Sequence, residues 1–355
     1  MAHNIHFNQS TNQHSFFSVQ QKAWHGLGQI VDRYPTSREA MSFAGLDFDV
    51  VKKPLYIKSG SLRIEDGVSL DENSSISVPN YFATVRSDNG TPLGVVGKEY
   101  HIVQNRDAFS FFDSIVGGEG ILYETAGALG KGERIFITAK LPGYIQVGSD
   151  DLIEKYLFLT NSHDGSGSIT AAFTPVRIVC MNTLNAAMKD MTNVIRIRHT
   201  ANAKDRLRQA HTVMGIVSKF SEQLEPVFNQ WAKVRITDKQ LKTLIEMVMA
   251  PNQEAVGNIK EANRAQFSTQ FINTIESVYE YALGSATQNL ETTAGTVFGA
   301  YNAVTGFFQN VKSYKTSEDK IKSILLGGTA QLRGQKAFNL CEGFARHGAE
   351  IFSMN

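Results

Sequence analysis

The apolar residues of this chain change their spacing about halfway along its length. Up to about residue 190, short segments such as Phe48–Val51, Tyr81–Arg86 and Arg134–Leu141 alternate apolar and polar residues, which is typical of half-buried strands. Beyond about residue 203, apolar residues recur every three or four positions, as they do along one face of a helix. We therefore predict an α+β fold, in which a β-rich N-terminal half, with a mostly antiparallel meander sheet and packed helices, is followed by an α-helical C-terminal half.

The length of the chain favours two domains. Its 355 residues exceed the ~250–300 residues over which a single core normally extends. The change of period places the boundary between an α+β domain, 1–200, and an α-helical domain, 201–355. Two helix starts are predicted from capping residues: Ser37 before a short helix, and a capping box formed by Thr237 and Gln240.

Composition excludes several classes of protein. Hydrophobic residues make up 42% of the chain and charged residues 19%, as in a folded globular protein rather than a disordered one. No apolar stretch approaches the ~20 residues that cross a bilayer, and the start of the chain lacks the basic and apolar regions of a signal peptide. We therefore expect a cytoplasmic protein without a membrane partner. The two cysteines, Cys180 and Cys341, cannot form a disulfide framework or a zinc ribbon by themselves.

Positive charge collects between Val176 and Arg208. This segment has seven basic residues and two acidic ones, a net charge of +5, whereas the whole chain balances 35 Lys and Arg against 34 Asp and Glu. A nucleic-acid-binding protein that is basic throughout is thus excluded, but a basic face on a neutral body is not.

The alternation within Ile195–His199 would place Arg196 and Arg198 on one outer face of a strand. Two guanidinium groups on one face suit phosphate, because each fork can hold two oxygens. The alternative is a solvated strand whose arginines pair with carboxylates elsewhere. Under the phosphate hypothesis, the nucleic-acid-binding residues are Arg177, Arg196, Arg198, His199, Lys204, Arg206 and Arg208, with Lys131, Arg134 and Lys140 extending the groove from a neighbouring hairpin.

Two loops contain residue types that could carry chemistry. The first, Gly127–Gly132, superficially resembles a phosphate-binding loop, but Gly132 follows Lys131 where a magnesium-binding Ser or Thr is needed. A hairpin turn explains its glycines more economically. In the second loop, His163 stands next to Asp164, yet no third metal ligand has a suitable spacing.

A tight turn between two strands explains the Asn, Asp and Gly residues of this second loop. We therefore predict no catalytic residue, no metal and no cofactor, and only a small effect when His163 is replaced by Ala. The less favoured alternative is a hydrolase or nuclease centred on His163, Asp164 and His199.

Several stretches in a fixed order resemble the phage- and plasmid-borne protein family known as domain of unknown function nine-three-two. The resemblance implies an origin in a mobile element, and it implies no established activity for particular residues. The stretches are Ala23-Trp-His-Gly-Leu-Gly28, Tyr100-His-Ile-Val-Gln-Asn-Arg-Asp-Ala-Phe109, Gly132-Glu-Arg-Ile-Phe-Ile-Thr-Ala-Lys-Leu-Pro142, Tyr156-Leu-Phe-Leu-Thr-Asn-Ser-His-Asp-Gly165, Phe173-Thr-Pro-Val-Arg-Ile-Val-Cys-Met-Asn-Thr-Leu184, Arg198-His-Thr200 and Ala300-Tyr-Asn-Ala-Val-Thr305.

The predicted order of elements is also similar to the core of phage single-strand annealing proteins. Those proteins form rings or filaments around a basic groove, so this similarity implies single-stranded nucleic acid as the partner and recombination or replication as the process. The alternative is a non-enzymatic mobile-element protein that binds a host protein, in anti-defence or regulation. The two hypotheses differ in whether the arginines of 177–208 lie open on one face or are paired internally.

The helical half carries more large apolar residues than one buried stripe per helix requires. Surplus apolar surface on a soluble chain usually marks an interface, so we expect a homo-oligomer. The residues concerned are Phe267, Phe271, Tyr281, Phe298, Tyr301, Phe307 and Phe308.

Overall fold

The fold is known from a computed structural model. It describes residues 5–9, 11–20, 27–58, 75–115, 122–177, 194–315, 319–320, 323–324 and 328–354, and within these ranges the side chains of 114–115, 172–177, 194, 208–222 and 354 are left aside.

Strands dominate the described N-terminal half, as the alternating pattern predicts. The strands are β1 (Phe7–Asn8), β2 (Gln13–His14), β3 (Phe16–Val19), β4 (Gln29–Val31), β5 (Val50–Lys58), β6 (Ser75–Arg86), β7 (Pro92–Gly97), β8 (Leu122–Leu129), β9 (Arg134–Val147), β10 (Asp151–Ser162), β11 (Ile169–Arg177) and β12 (Val194–Ile197). Two helices lie among them, α1 (Ser37–Phe43) and α2 (Asn105–Ile115).

Helices make up most of the described chain after β12. They are α3 (Ala203–Lys233), α4 (Asp238–Met249), α5 (Gln253–Lys260), α6 (Thr269–Gly284), α7 (Val297–Gly306), α8 (Thr329–His347) and α9 (Ile351–Met354). The α+β class and the order of its two halves are therefore confirmed. The capping box of α4 is also confirmed, because Thr237 accepts from the amide of Gln240 and the Gln240 side chain accepts from the amide of Thr237. The predicted N-cap of α1, Ser37, is wrong by one residue, because Thr36 is the N-cap.

A seven-stranded sheet organises the β-rich half, in the order β12-β11-β10-β9-β8-β3-β4. The strands from β8 to β12 form the predicted antiparallel meander, and the pair β3 and β4 is parallel. The sequence failed to predict β3, although Phe16-Phe-Ser-Val19 is a short apolar run and all four residues are buried. Gly28 lets the chain pass close to this strand, because a Cβ there would lie 2.3 Å from the carbonyl oxygen of Phe16.

Strand β9 is longer than the alternating segment Arg134–Leu141. It continues past Pro142 to Val147, and β10 begins at Asp151. A register shift between Glu154 and Lys155 accommodates the irregular part of this long hairpin. The hairpin therefore extends across the sheet and reaches the helical half.

A second sheet of three antiparallel strands, β5-β6-β7, stands beside the first. Its β5–β6 pair is interrupted, because the single residue Leu55 faces the four residues Val78–Tyr81 between the pairs Pro54–Phe82 and Tyr56–Ser77. Asn80 has a left-handed φ of 65° in this interruption. The outer part of the pair, Tyr56–Lys58 with Ser75–Ser77, is thereby offset from the rest of the sheet. Residues 59–74, which connect β5 to β6, lie outside the described residues.

One large hydrophobic core contains residues from both halves of the chain. The tip of the β9–β10 hairpin meets α3, where the amides of Gln146 and Gly148 donate to the side chains of Glu225 and Asn229 at 3.0 and 2.9 Å. In the helical half, Trp231 packs against the ring of Phe338 with 4.7 Å between centroids.

The large apolar residues of the helical half, from which a homo-oligomer was predicted, pack inside the chain. Phe298, Tyr301, Phe307, Phe308 and Phe271 are all buried in the chain's own core. Phe267 packs against the same core, and the ring of Tyr281 lies against Gly306. The apolar surplus of the helices is thus used inside the chain, and it provides no argument for an oligomer.

Candidate functional site

Strand β12 forms one edge of the described seven-stranded sheet; it carries Arg196, and Arg198 follows its last residue. Burial alternates along it as predicted: Ile197 and His199 are buried, whereas Arg196 and Arg198 are exposed. Arg196 lies opposite Thr170 of β11. Among the residues that the structure describes, no carboxylate lies within ion-pair distance of Arg196 or Arg198. The two guanidinium groups therefore share an open face.

Helix α3 starts six residues after β12 ends and adds two further cations. Lys204 is half exposed but lies 3.0 Å from the carboxylate of Asp107, whereas Arg206 is exposed and has no ion pair in the described part of the chain. No side chain caps the helix, since Asn202 makes no capping hydrogen bond. The first turn of α3 also carries Asp205, and the amides of Ala203 and Arg206 donate to the carbonyls of Thr200 and Asn202, so the contribution of α3 to the positive face is the exposed side chain of Arg206.

The predicted cations of the β8–β9 hairpin are divided between two places. Arg134 is opposite Ser162, so it lies at the end of the sheet where β12 also ends. Its guanidinium donates to Ser166 at 3.0 Å, and Lys131 is exposed in the adjoining turn. These two residues belong with the arginine edge.

Lys140 lies six residues further along β9 than Arg134, ~20 Å away at the rise of a strand. Its ammonium group pairs with the largely buried carboxylate of Glu154, to which Tyr156 also donates at 2.9 Å. Lys140 is therefore separated from the arginine edge by distance and neutralised by its partner, contrary to its expected place in the groove. The side chains of Arg177 and Arg208 lie outside the description.

His199, also expected among the phosphate-binding residues, points into the protein. Its ring stacks on Tyr100 at 4.6 Å, and its Nδ1 lies 3.1 Å from the carbonyl oxygen of His101. The backbone is joined at the same place, because the amide of His101 donates to the carbonyl of His199. Burial lowers the pKa of His199, so the side chain is neutral at pH 7 and cannot act as a phosphate contact. Its role is to fix the end of β12 to the loop after β7.

His163 is fully buried, not exposed at the tip of a turn as expected. Its Nε2 lies 2.8 Å from Oδ1 of Asn105, whose amide nitrogen donates to the carbonyl of Leu46. Because that amide orientation leaves Oδ1 as an acceptor, the proton of His163 is on Nε2. Burial, with a smaller effect from His199, lowers the pKa of His163 to about 3. The expectation that Ala could replace His163 with little loss of stability is therefore wrong, because the change would leave Oδ1 of Asn105 without this hydrogen-bond partner and would open a cavity.

Asp164 is held by the loop that follows β10. Burial raises the pKa of its carboxyl, but hydrogen bonds from Ser162 and Ser166 outweigh that effect and leave the pKa below its usual value. The hydroxyl of Tyr100 donates to the carbonyl of Ser162 at 2.8 Å. His163, Asp164 and His199 are thus near one another, as the hydrolase alternative required, but each is occupied in holding loops together.

The structure brings together three of the stretches on which the family resemblance depends. Tyr100–Phe109 supplies Tyr100, His101 and Asn105, Tyr156–Gly165 supplies His163, and Arg198–Thr200 supplies His199. The sequence did not identify Asn105 or Tyr100 as part of this cluster. Nothing in their spacing reveals the contact, because Asn105 and His163 are separated by 58 positions.

A metal centre or a ligand cleft elsewhere gains little support. Within the described ranges, no group of three or more His, Cys, Asp or Glu side chains could hold a metal ion. A cleft of about 310 Å³ is lined by Gln13, Asp47, Phe48, Arg86 and Asp88, among others. Arg86, the one deeply buried cation among these lining residues, already has partners: its Nη2 donates to Asp88 at 2.7 Å and its Nη1 donates to the carbonyl of Lys131 at 3.2 Å.

No described helix is both long and apolar enough to cross a membrane.

The fold and this site define an α+β protein in which an open arginine edge is anchored by a buried pair of neutral histidines. The chain belongs to the family described as Domain of unknown function (DUF932), whose model matches residues 92–325. That range includes the arginine edge and both histidines. Comparison with curated proteins and with solved structures gave no match.

Proposed function

We propose that this protein binds single-stranded nucleic acid, and that it serves a phage or plasmid in recombination or replication as a strand-annealing protein. The observation that carries the proposal is the arginine edge: Arg196 on β12 and Arg198 just after it are exposed without a carboxylate partner in the described chain. Internal ion pairs would have favoured the alternative in which carboxylates elsewhere in the chain neutralise these arginines.

Three neighbours add to the positive field of this edge. Arg206 lies near the start of α3, shortly after β12, and Lys131 and Arg134 lie at the same end of the sheet. Arginine forks bind two phosphate oxygens at once. Annealing needs a positive track that leaves bases accessible, and it requires neither a cofactor nor a catalytic group.

The test is a fluorescence-anisotropy titration with single- and double-stranded oligonucleotides at 50 and 200 mM salt. On a single strand, each phosphate neutralised contributes about −0.7 to the slope of log K against log salt, so replacing Arg196 and Arg198 together by Ala should reduce that slope by about 1.4. If counterion release supplies the whole effect, affinity falls roughly 60-fold at 50 mM salt and roughly tenfold at 200 mM.

The matched control is Lys239→Ala with Lys260→Ala, two exposed cations of the helical half. This variant removes the same charge and should bind as the parent protein does. Affinity that does not depend on salt, or equal losses in both double variants, would show that the arginine edge is not the binding site.

Assembly belongs to the same proposal, because an annealing protein holds a strand extended across several protomers. Light scattering with and without a long oligonucleotide should therefore give a mass above the 39.2 kDa of one chain. A mass of one chain under both conditions would remove annealing from the proposal and leave simple binding.

A further inference from the structure

Positive charge also collects in the helical half, between the end of α7 and the first turns of α8. The segment Lys312–Lys336 has six basic residues and two acidic ones. Lys312, Arg333 and Lys336 are three of these basic residues, and their side chains are half-buried. Lysine and arginine are rarely buried unless they are paired, so these three cations require partners.

Two of the three cations lie on one face of α8. Arg333 and Lys336 are three positions apart, so they are neighbours on the helix surface. Nη1 of Arg333 donates to the carbonyls of Val248 and Ala250 at the end of α4, at 2.7 and 2.6 Å. Within the described chain, Nε and Nη2 of Arg333 make no hydrogen bond. The guanidinium group is thus fixed through one arm, and its other side is available.

The third cation, Lys312, reaches the cluster from the end of α7. A π-helical turn, Phe307–Val311, continues that helix, and such turns are frequent at functional sites. The ammonium group of Lys312 lies 5.1 Å from the ring centroid of Phe308 and 5.8 Å from that of Tyr314. The hydroxyl of Tyr314 donates to the carbonyl of Phe308 at 3.0 Å. The two rings therefore hold the ammonium group in place without neutralising it.

No carboxylate neutralises Lys312, Arg333 or Lys336 in the part of the chain that the structure describes. Burial lowers the pKa of all three groups, and the charge of Arg333 lowers the pKa of both lysines further. The three positive charges therefore repel one another at a place that water screens only in part. An anion bound among them would relieve this repulsion.

Charge and donor geometry favour a phosphate group over a carboxylate. A carboxylate would neutralise one of the three cations, whereas a phosphate monoester carries a charge of about −1.5 to −2 at pH 7. The available side of Arg333 has two donors that match two phosphate oxygens, and lysines bind phosphate as point charges. A nucleic-acid strand needs a track of cations along its length, but these three are grouped around one guanidinium group.

We propose that Lys312, Arg333 and Lys336 form a binding site for a phosphate group, either as the free ion or as part of a nucleotide. The inference does not depend on the proposed function, because the site shares no residue with the arginine edge. Lys312 lies within the range that the family model matches, 92–325, and the other two residues follow it.

Isothermal titration calorimetry at fixed ionic strength tests the site with inorganic phosphate, adenosine monophosphate, adenosine and acetate. The two phosphates should bind at one site per chain, and adenosine and acetate should not bind. Binding of the ion at least as tight as that of the nucleotide would identify free phosphate as the ligand, and tighter binding of the nucleotide would identify a nucleotide. Failure of both phosphates to bind at millimolar concentrations, or equally tight binding of acetate, would overturn the proposal.

Lys312→Met and Lys336→Met keep the length of each side chain and remove its charge. Each change should weaken phosphate binding about 10- to 100-fold. Without phosphate, both variants should be at least as stable as the parent protein, because a repelling charge is gone, whereas a purely structural role would lower the Tm. Added phosphate should raise the Tm of the parent more than that of the variants. The comparison is needed because phosphate also stabilises folded proteins without binding to a site.

Two further variants serve as controls. Lys239→Met with Lys260→Met removes two exposed cations of the same half and should bind phosphate as the parent does. Arg196→Ala with Arg198→Ala should do the same, which separates this site from the arginine edge. If either control loses as much affinity as Lys312→Met with Lys336→Met, or if that double variant binds phosphate like the parent, the site is refuted.

Discussion

The two ends of the seven-stranded sheet treat positive charge in opposite ways. At the end where β12 finishes, Arg196 and Arg198 are exposed, and the residue opposite Arg196 is Thr170. At the other end, Lys140 is opposite Tyr156 on β10. It forms an ion pair with Glu154, which precedes Tyr156 by two positions and therefore lies on the same face. The difference teaches that a basic residue on a strand is available to a ligand only if its cross-strand neighbours carry no carboxylate.

The ends also differ in how they bury polar groups. Beside the arginine edge, two neutral histidines fasten loops from distant parts of the chain. At the other end, Lys140 and Glu154 form an ion pair, and burial raises the pKa of the neighbouring Glu124. The first end should therefore respond to acid and to steric change, and the second to loss of its counter-charge.

Acid should have the largest effect, through His163. Its folded pKa of about 3 lies below the 6.5 of an unfolded histidine, so its contribution is complete above pH 6.5 and is lost as the pH falls toward 3. Between pH 7 and 4.5 the free energy of unfolding should fall by about 2.5 kcal/mol from this residue alone. His199, with its lowered pKa, acts in the same direction. Urea unfolding at pH 7, 5.5 and 4.5 measures the slope.

His163→Gln is the comparison protein for this measurement, because Gln can donate to Asn105 but does not titrate. Its stability should depend less steeply on pH by the same amount, whatever its stability at pH 7. Parallel pH profiles for the two proteins would mean that His163 is not held neutral.

A steric change at the same end should have the next largest effect. Gly94→Ala brings a Cβ to 2.5 Å from the backbone of Asp164, which cannot move without disturbing His163. The free energy of unfolding should fall by about 2 kcal/mol. Gly97→Ala on the same strand meets nothing within 4 Å and should change it by less than about 0.5 kcal/mol. Equal stabilities of the two variants in urea would contradict the packing of the small sheet on this loop.

The smallest effect is expected at the far end. Lys140→Ala leaves Glu154 with Tyr156 as its hydrogen-bond donor, and partial exposure of the pair limits the loss to about 1–2 kcal/mol. Affinity for single strands should not change. Lys131→Ala, from the same hairpin, should do the reverse, with unchanged stability and weaker binding. If both variants lose affinity equally, the contrast between the two ends is wrong.

Much of the fold could be predicted from the sequence, because periodicity is a local property. Alternation in Ile195–His199 correctly separated exposed from buried residues, and Thr237 and Gln240 correctly placed the start of α4. Strand β3 was missed because its four residues are buried on both faces and do not alternate. The length of β9 was missed because Pro142 and Gly143 are turn-forming residues that here lie within an irregular part of the hairpin.

The site could be predicted only in part, because it depends on contacts between distant positions. Sequence indicated that Arg196 and Arg198 share a face, but it could not show that Glu154 lies beside Lys140 or that Tyr100 covers His199. His163 was misplaced for the same reason. The residues of its loop are those of a solvent-exposed turn, and only the packing of Asn105 and Phe48 against its ring makes it a buried residue.

The hydrogen bonds between the β9–β10 hairpin and α3 have a consequence for synthesis. During translation, Gln146 and Gly148 at the hairpin tip are synthesised well before their partners Glu225 and Asn229. The interval between the synthesis of Trp231 and that of its partner Phe338 is longer still. Until those later residues emerge, the sheet lacks part of its covering and the nascent chain exposes apolar surface. Completion of the β-rich half is therefore coupled to translation of the helices, so the chain should acquire its final packing late, and in one step rather than two.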